Sequence, residues 1–156
     1  MPRLINAASS FAQQGKTPAF SVRSRSNGSF TDGGIDKITW NTVQITDTVG
    51  GWSTTNNRYT IKVKGVYIFT YEDLPYMAGA TTRYAEYYLY KNGSNLGSNF
   101  VHTEYQSTRN YEYVSGSRIE ECAPGDYFEI YRFTGNNATS NSNGGFAKFT
   151  GRLISA

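Results

Sequence analysis

The segment from Tyr59 to Tyr71 constrains the fold more than any other part of the chain. Its sequence, YTIKVKGVYIFTY, places large apolar residues at alternate positions on both sides of Gly65. Alternation with a period of two is typical of a β-strand that turns one face towards a core. β-branched and aromatic residues also favour a pleated, half-buried surface. Gly65 interrupts the pattern without shifting it, so we expect two strand segments with a bend between them.

The composition of the whole chain agrees with an all-β domain. Among its 156 residues, aromatic side chains make up 15% and charged side chains only 17%. No segment repeats apolar residues with the period of a helix, and the length is sufficient for one domain with a hydrophobic core. We expect further strands within 19–25, 35–45, 83–91, 96–105, 110–121, 127–133 and 146–154, with polar loops at 27–34, 47–57, 73–82 and 135–145.

Two short sequences predict tight turns between strands. Asn92-Gly93 follows the strand 83–91 and is the strongest hairpin signal in the chain. Pro124-Gly125-Asp126 predicts a second turn before the strand 127–133. About eight to ten short strands at this spacing indicate a sandwich or a barrel, and the jelly roll is one such arrangement.

Several motifs, taken in order, resemble the C1q and tumour necrosis factor-like jelly-roll family. They are Phe20-Ser21-Val22, Ile38 with Trp40, Gly51-Trp52, Asn57-Arg58-Tyr59-Thr60, Gly65-Val66-Tyr67-Ile68-Phe69, Leu89-Tyr90-Lys91-Asn92-Gly93, Ser115-Gly116-Ser117 ahead of Gly125-Asp126, and Phe149-Thr150-Gly151-Arg152-Leu153. The resemblance implies a jelly-roll β-sandwich over residues 18–156. The sequence departs from the family at Glu120 and Glu121, where that strand is usually apolar, and no collagen-like repeat precedes the domain.

Residues 1–17 differ in character from the predicted domain. Leu4, Ile5 and Phe11 are too few apolar residues to form a core, and Gly15 and Pro18 mark the end of the segment. Two interpretations stay open, an arm that anchors the domain to another protein and a frayed terminus.

The strand 83–91 carries apolar side chains on both faces, which is unusual for a monomer. Ala85 and Leu89 share one face, and Tyr88 and Tyr90 share the other. The segment 66–68 likewise has apolar side chains on both faces. Large exposed apolar faces usually mark an interface. The family resemblance implies a homotrimer with aromatic residues along its axis, and the residues that we assign to its interface are Tyr88, Tyr90, Val66 and Ile68. The alternative is that a long loop covers the two tyrosines.

The sequence contains few candidate catalytic or metal-ligating residues. The chain has one histidine and one cysteine, which excludes an intrachain disulfide and disfavours a metal centre. We interpret His102 as structural and Cys122 as a small buried apolar residue. Glu72 and Asp73 are a candidate pair for a glycosidase, although the sequence does not give their separation. We expect no enzymatic activity, no catalytic residue, no metal and no cofactor.

Charge and hydropathy argue against two classes of partner. The net charge is +3, and the lysines and arginines are scattered, whereas a nucleic-acid interface usually gathers them in a stripe. No apolar run approaches the roughly 18 residues of a membrane span. The printed sequence also starts without the apolar segment of a secretory signal, which favours synthesis in a cytoplasm.

Two functions remain as hypotheses. The first is a structural protein of a virus particle, most plausibly of a tailed bacteriophage, acting as a capsid decoration, fibre or tail component in the virion. Its arm, through Leu4, Ile5 and Phe11, would bind other virion proteins, and its domain would bind a glycan or protein on the host surface. The alternative is an extracellular C1q-like binding module for carbohydrate or protein ligands. In both hypotheses Trp52 and Tyr76 are candidate ligand contacts in loops.

Overall fold

The computed structural model of the chain describes residues 16–23, 29–30, 33–40, 46–78, 83–98, 100–105, 111–135, 139–142 and 146–156. Within these ranges every regular element is a β-strand, which confirms the all-β prediction. No helix in this part of the chain has the length and apolarity needed to cross a membrane. The predicted anchor residues Leu4, Ile5 and Phe11 lie outside the described residues.

Fifteen strands occur in the described part of the chain. They are β1 Ala19–Arg23, β2 Ser29–Phe30, β3 Ile35–Lys37, β4 Thr46–Asp47, β5 Trp52–Ser53, β6 Arg58–Thr60, β7 Gly65–Asp73, β8 Pro75–Ala78, β9 Arg83–Lys91, β10 Ser94–Asn95, β11 Val101–Tyr105, β12 Val114–Cys122, β13 Tyr127–Gly135, β14 Thr139–Ser142 and β15 Lys148–Ser155.

Two antiparallel sheets form a jelly-roll sandwich around an aromatic core. Sheet A has the order β12-β7-β15-β1-β4, and sheet B has the order β10-β9-β13-β6-β5, with β11 beside β9 and β3 beside β13. Phe20 of sheet A stacks on Tyr59 of sheet B with ring centroids 4.0 Å apart. Phe69 of sheet A stacks on Phe128 of sheet B at 4.2 Å. Stacked rings of this kind bury a large apolar area and also fix the relative position of the two sheets.

The segment from Tyr59 to Tyr71 divides between the two sheets. Its first part belongs to β6 of sheet B, and its second part belongs to β7 of sheet A. The predicted alternation holds on both sides of the division, because the odd-numbered side chains Tyr59, Ile61, Val63, Tyr67, Phe69 and Tyr71 are all buried. The predicted bend at Gly65 is confirmed. A Cβ atom there would lie 2.2 Å from the carbonyl oxygen of Ser155, so only glycine permits this approach of the two chain segments.

All four segments that the sequence predicted as loops contain short strands instead. The segment 47–57 contains β5 of sheet B, and the other three contain β2, β8 and β14, which pair with one another in a small third sheet, sheet C, of order β2-β14-β8. The segments lie far apart in the sequence, and their turn-forming residues hide the fact that their backbones pair. Pairing satisfies backbone donors and acceptors that would otherwise need other partners.

The predicted hairpin and the two glutamates that depart from the family pattern have local explanations. Asn92 and Gly93 have φ angles of 54° and 79° and connect β9 to β10, as a two-residue hairpin requires.

Glu121 is exposed on the outer face of β12, opposite Val66. Glu120 lies on the core side of the edge strand β12, where it is half-buried. The Nε atom of Arg118 donates to its Oε1 at 2.6 Å, so the carboxylate is paired. Arg118 also donates to the carbonyl oxygen of Leu96 at 3.2 Å, which ties β12 to the segment after β10.

A buried polar cluster joins the sheets at one end of the core. The Asp73 carboxylate, 1% exposed, accepts hydrogen bonds from the hydroxyls of Tyr71 at 3.0 Å and Tyr87 at 3.3 Å. Burial raises the pKa of Asp73, while these bonds and the positive charge of the buried Arg132 act in the opposite direction. Tyr71 belongs to sheet A and Tyr87 to sheet B, so the cluster adds directional bonds to the apolar contact between the sheets.

Replacing Gly151 should test the aromatic packing directly. A Cβ atom at this position would lie 2.4 Å from a ring carbon of Phe20 and 2.9 Å from a ring carbon of Phe69. Because the core is close-packed, Gly151→Ala should lower the free energy of unfolding by about 1–3 kcal/mol in urea titrations. Ser117→Ala, at an exposed position of the same sheet, should change it by no more than about 0.5 kcal/mol. Equal stability of the Gly151→Ala variant and the parent chain would contradict this packing.

Candidate functional site

The outer face of sheet A carries an exposed apolar patch. Ile68 of β7 lies directly opposite Ile119 of β12 in the register of the two strands. The Ile119 side chain is 59% exposed, and Val66 and Ile68 are half-buried. We call Val66, Ile68 and Ile119 the isoleucine patch. Two of its members were predicted from the sequence. Ile119 was missed, because the pairing of β12 with β7 places it there and the local sequence of β12 does not show that register.

The outer face of sheet B carries tyrosines within a network of paired polar groups. Tyr90 stacks on Tyr131 of β13 with ring centroids 4.0 Å apart. The Tyr88 hydroxyl donates to Glu86 on the same strand. Lys37 of β3 forms an ion pair with Glu129 of β13. Each of these side chains therefore has a partner within the chain, and Tyr88 and Tyr90 are half-buried.

The four residues predicted to share one trimer interface lie on two different surfaces. Val66 and Ile68 project from the outer face of sheet A, whereas Tyr88 and Tyr90 project from the outer face of sheet B. The outer faces of a sandwich point away from each other. The sequence pattern gives the parity within each strand, but it does not say which sheet a strand joins. Within one chain the four residues therefore do not share a face, and their place in a trimer interface stays a prediction.

Trp52 does not have the loop-tip position that the sequence suggested. Its ring packs on Phe20 at 5.8 Å and on Trp40 at 6.2 Å between centroids. The Asp47 carboxylate fixes the segment before it, accepting hydrogen bonds from the backbone amides of Val49 and Trp52 at 3.1 and 2.7 Å. The ring therefore packs at the edge of the core and not at a loop tip, while contact of the half-buried Trp52 with a ligand stays a prediction.

Tyr76 belongs to an aromatic group at one end of the sandwich. Its ring lies 5.0 Å from that of Tyr111, and a β-bridge joins the two residues. Tyr111 is 50% exposed, and Tyr113, two residues further along the chain, is 59% exposed. We call Tyr76, Tyr111 and Tyr113 the tyrosine group. Tyr76 remains a predicted ligand contact. The other two were missed, because they lie where the sequence predicted an ordinary strand.

The residues with potential chemical roles are dispersed. Asp73 is buried in the core, whereas its neighbour Glu72 lies on the opposite face of β7, so this pair does not converge on one substrate. His102 lies on the outer face of sheet B, with Nδ1 at 3.2 Å from Glu86 and Nε2 at 3.5 Å from Glu104. Each carboxylate therefore contacts a different nitrogen of the His102 ring. Within the ranges that the structure describes, no group of three or more His, Cys, Asp or Glu residues is arranged to hold a metal ion.

Cys122 is buried, as the sequence predicted, and its environment makes it unreactive. It is 4% exposed at the end of β12. Burial raises the pKa of the thiol to about 12, and the charges of Asp126 and Glu120 add to the effect against that of Lys91. Because the thiolate is the reactive form, almost none is present near neutral pH.

A thiol-labelling experiment should show this protection. With a disulfide reagent at pH 8, the folded chain should label far more slowly than the same chain in denaturant, since the thiol stays protonated and covered. A Ser115→Cys variant should gain one rapidly labelled thiol, because Ser115 is exposed on the outer face of the same strand. Rapid labelling of Cys122 in the folded chain would contradict its placement.

Comparison with known proteins supports the fold. No protein-family model matches the sequence. Among solved structures, the globular domain of the zebrafish complement 1qA protein is 20% identical, with a TM-score of 0.62 over 89% of this chain and 98% of that one. Murine APRIL, solved at pH 5.0, is 11% identical, with a TM-score of 0.59 over 88% of this chain and all of that one. The predicted C1q/tumour necrosis factor-like jelly roll is thereby confirmed, and a likeness at this identity establishes the fold alone.

Proposed function

We propose that the protein is a non-enzymatic binding module that assembles as a homotrimer and meets its ligand outside the cell. The observation that carries the proposal is the isoleucine patch, an apolar surface on a sheet face that none of the described strands covers. Of the two functions considered from the sequence, the structural neighbours favour the binding module, since both are animal proteins with this fold. Neither of these two neighbours is a virion protein, and the predicted anchoring arm lies outside the described residues.

The isoleucine patch is the better of the two outer faces for contact between copies. Ile119 exposes more than half of its side chain, and Ile68 lies directly opposite it. Apolar side chains of this kind at the centre of a contact lose water on association. Tyr88 and Tyr90 on sheet B already have partners within the chain, so covering them would displace less water from apolar surface.

A closed ring of three also limits the choice to one face. A cyclic trimer is closed by heterologous contacts, in which one surface of each subunit meets a different surface of its neighbour at an angle that closes the ring. The outer faces of sheets A and B point in opposite directions, so using both would stack copies in an open series. We therefore propose that Val66, Ile68 and Ile119 line the axis, and that Tyr88 and Tyr90 face away from it.

The tyrosine group supports a carbohydrate ligand at one end of the sandwich. A tyrosine ring offers a flat apolar face together with a polar hydroxyl. The exposed rings of Tyr111 and Tyr113 are available for stacking, and Tyr76 supports Tyr111 from the adjacent strand β8. Tyrosine is also enriched among residues that dominate binding energies.

Charging the isoleucine patch should separate the copies without unfolding them. The chain has a mass of 17.4 kDa, so light scattering should give about three times that mass for the parent protein. Ile119→Glu should give a monomer, because each interface would then bury carboxylates without partners. Thermal unfolding should remain cooperative, since the side chain is exposed within one chain.

Ile35→Glu is the matched control for this experiment. Ile35 is 53% exposed, similar to Ile119, but it lies in β3 beside sheet B. This variant should keep the mass of the parent protein. A monomeric parent protein would refute the trimer, and loss of assembly in Ile35→Glu alone would place the contact on the opposite face.

Removing the exposed rings should abolish carbohydrate binding. On a glycan array, labelled protein should retain a reproducible set of sugars, and Tyr111→Ala with Tyr113→Ala should lose that set because the stacking surface is gone. Tyr90→Ala, which alters the outer face of sheet B, should bind as the parent does. Full binding by the double variant, or no binding of any glycan by the parent, would refute the proposed carbohydrate site.

A further inference from the structure

A row of hydroxyl side chains crosses the outer face of sheet A beside the isoleucine patch. Ser21 of β1 lies opposite Thr150 of β15, Thr150 lies opposite Thr70 of β7, and Thr70 lies opposite Ser117 of β12. Adjacent strands are spaced by about 4.8 Å, so neighbouring hydroxyls are close enough to act on one small ligand. No hydrogen bond joins these hydroxyls to other residues in the part of the chain that the structure describes.

Long side chains border the short ones, which creates a hollow. Lys148 and Arg152 lie on either side of Thr150 along β15 and project from the same face, because each is two residues away. Together with Ser21, Thr70 and Thr150 they line a cavity of about 370 Å³ that is open to solvent. We call it the hydroxyl hollow.

The hydroxyl hollow has an excess of positive charge. Lys148 and Arg152 form no ion pair with any described residue, and the exposed Arg23 lies opposite Lys148 on β1. One carboxylate, Glu72, lies opposite Lys148 on the other side, and it accepts a hydrogen bond from Tyr113. Free donors and uncompensated cations therefore surround the same space.

We propose that the hydroxyl hollow binds a tetrahedral oxyanion, the sulfate or phosphate group of a ligand. Lys148 and Arg152 supply positive charge, and the hydroxyls of Ser21, Thr70 and Thr150 donate hydrogen bonds to its oxygens. Charge-assisted hydrogen bonds of this kind are the stronger ones, and arginine suits oxyanions because its donors are fixed in one plane. The site forms within a single chain on the β1 and β15 side of the sheet, so it goes beyond the proposed trimer and does not require it.

An NMR titration of the 156-residue chain with inorganic sulfate and, separately, inorganic phosphate tests the site. Ionic strength is held constant with chloride, because weak binding to exposed cations is screened by salt. Saturable amide shifts should concentrate at Ser21, Thr70, Thr150 and Gly151, and chloride alone should not produce them. Shifts that scatter over the lysines and arginines of the whole surface, or none at all, would overturn the proposal.

Two charge-matched variants separate a built site from general attraction to a basic protein. Lys148→Gln with Arg152→Gln should weaken sulfate binding by roughly tenfold or more, since two charged donors are lost. Lys62→Gln with Lys64→Gln removes the same charge at exposed positions outside the hollow and should bind as the parent does. Equal weakening in both variants would also overturn the proposal.

A further titration, with a sulfated disaccharide, distinguishes a free anion from a sulfate group carried by a sugar. A sulfated disaccharide that binds more tightly than inorganic sulfate, with shifts extending beyond the hollow, would identify a sulfate ester on a sugar. Equal affinity for both would identify the free anion. Light scattering on the same samples reports the oligomeric state, so a monomer with the localised shifts would refute the trimer while supporting the oxyanion site.

Discussion

The stacking of aromatic rings between sheets A and B is the interaction on which the rest of the structure depends. Phe20 on Tyr59 and Phe69 on Phe128 bring the two sheets into contact at 4.0 and 4.2 Å between centroids. Gly151 lies beneath Phe20, and the absence of a side chain there permits the close approach. Because the rings fill the space between the sheets, every even-numbered residue of β7 must point outwards. The isoleucine patch and the hydroxyl hollow are therefore consequences of core packing.

Much of the core was readable from the sequence, because side-chain parity is a local property. The alternation over 59–71 correctly predicted which residues are buried, and Asn92-Gly93 correctly predicted a hairpin. Sheet membership was not readable in the same way. The division of this segment between sheets A and B, and the pairing of β2, β8 and β14, depend on contacts between distant segments. The pairing register of two strands that are distant in the sequence cannot be predicted from the sequence of either strand alone.

The candidate surfaces were predicted only in part for the same reason. Val66 and Ile68 stood out because apolar residues occupied both faces of one strand. Ile119, Tyr111 and Tyr113 could not be recognised from their own segment. They belong to candidate surfaces only because other strands place further apolar or aromatic side chains beside them. For Trp52 the sequence predicted a loop tip because the tryptophan lies in a polar segment. The structure instead packs its ring against Phe20, and Asp47 holds the segment before it. Spatial neighbours decide whether an aromatic ring is available.

The outer face of sheet A combines two properties that oppose each other during assembly. The β7 and β12 side offers apolar surface, and its burial favours association. The β1 and β15 side carries Lys148, Arg152 and Arg23, and bringing three such surfaces towards one axis raises their mutual repulsion. An oxyanion bound in each hydroxyl hollow, which Ile68 of the isoleucine patch also lines, would remove part of that repulsion. By linkage, a ligand that binds more tightly to the assembled state must also stabilise that state. In the proposed assembly, oxyanion binding and association of the copies are therefore coupled.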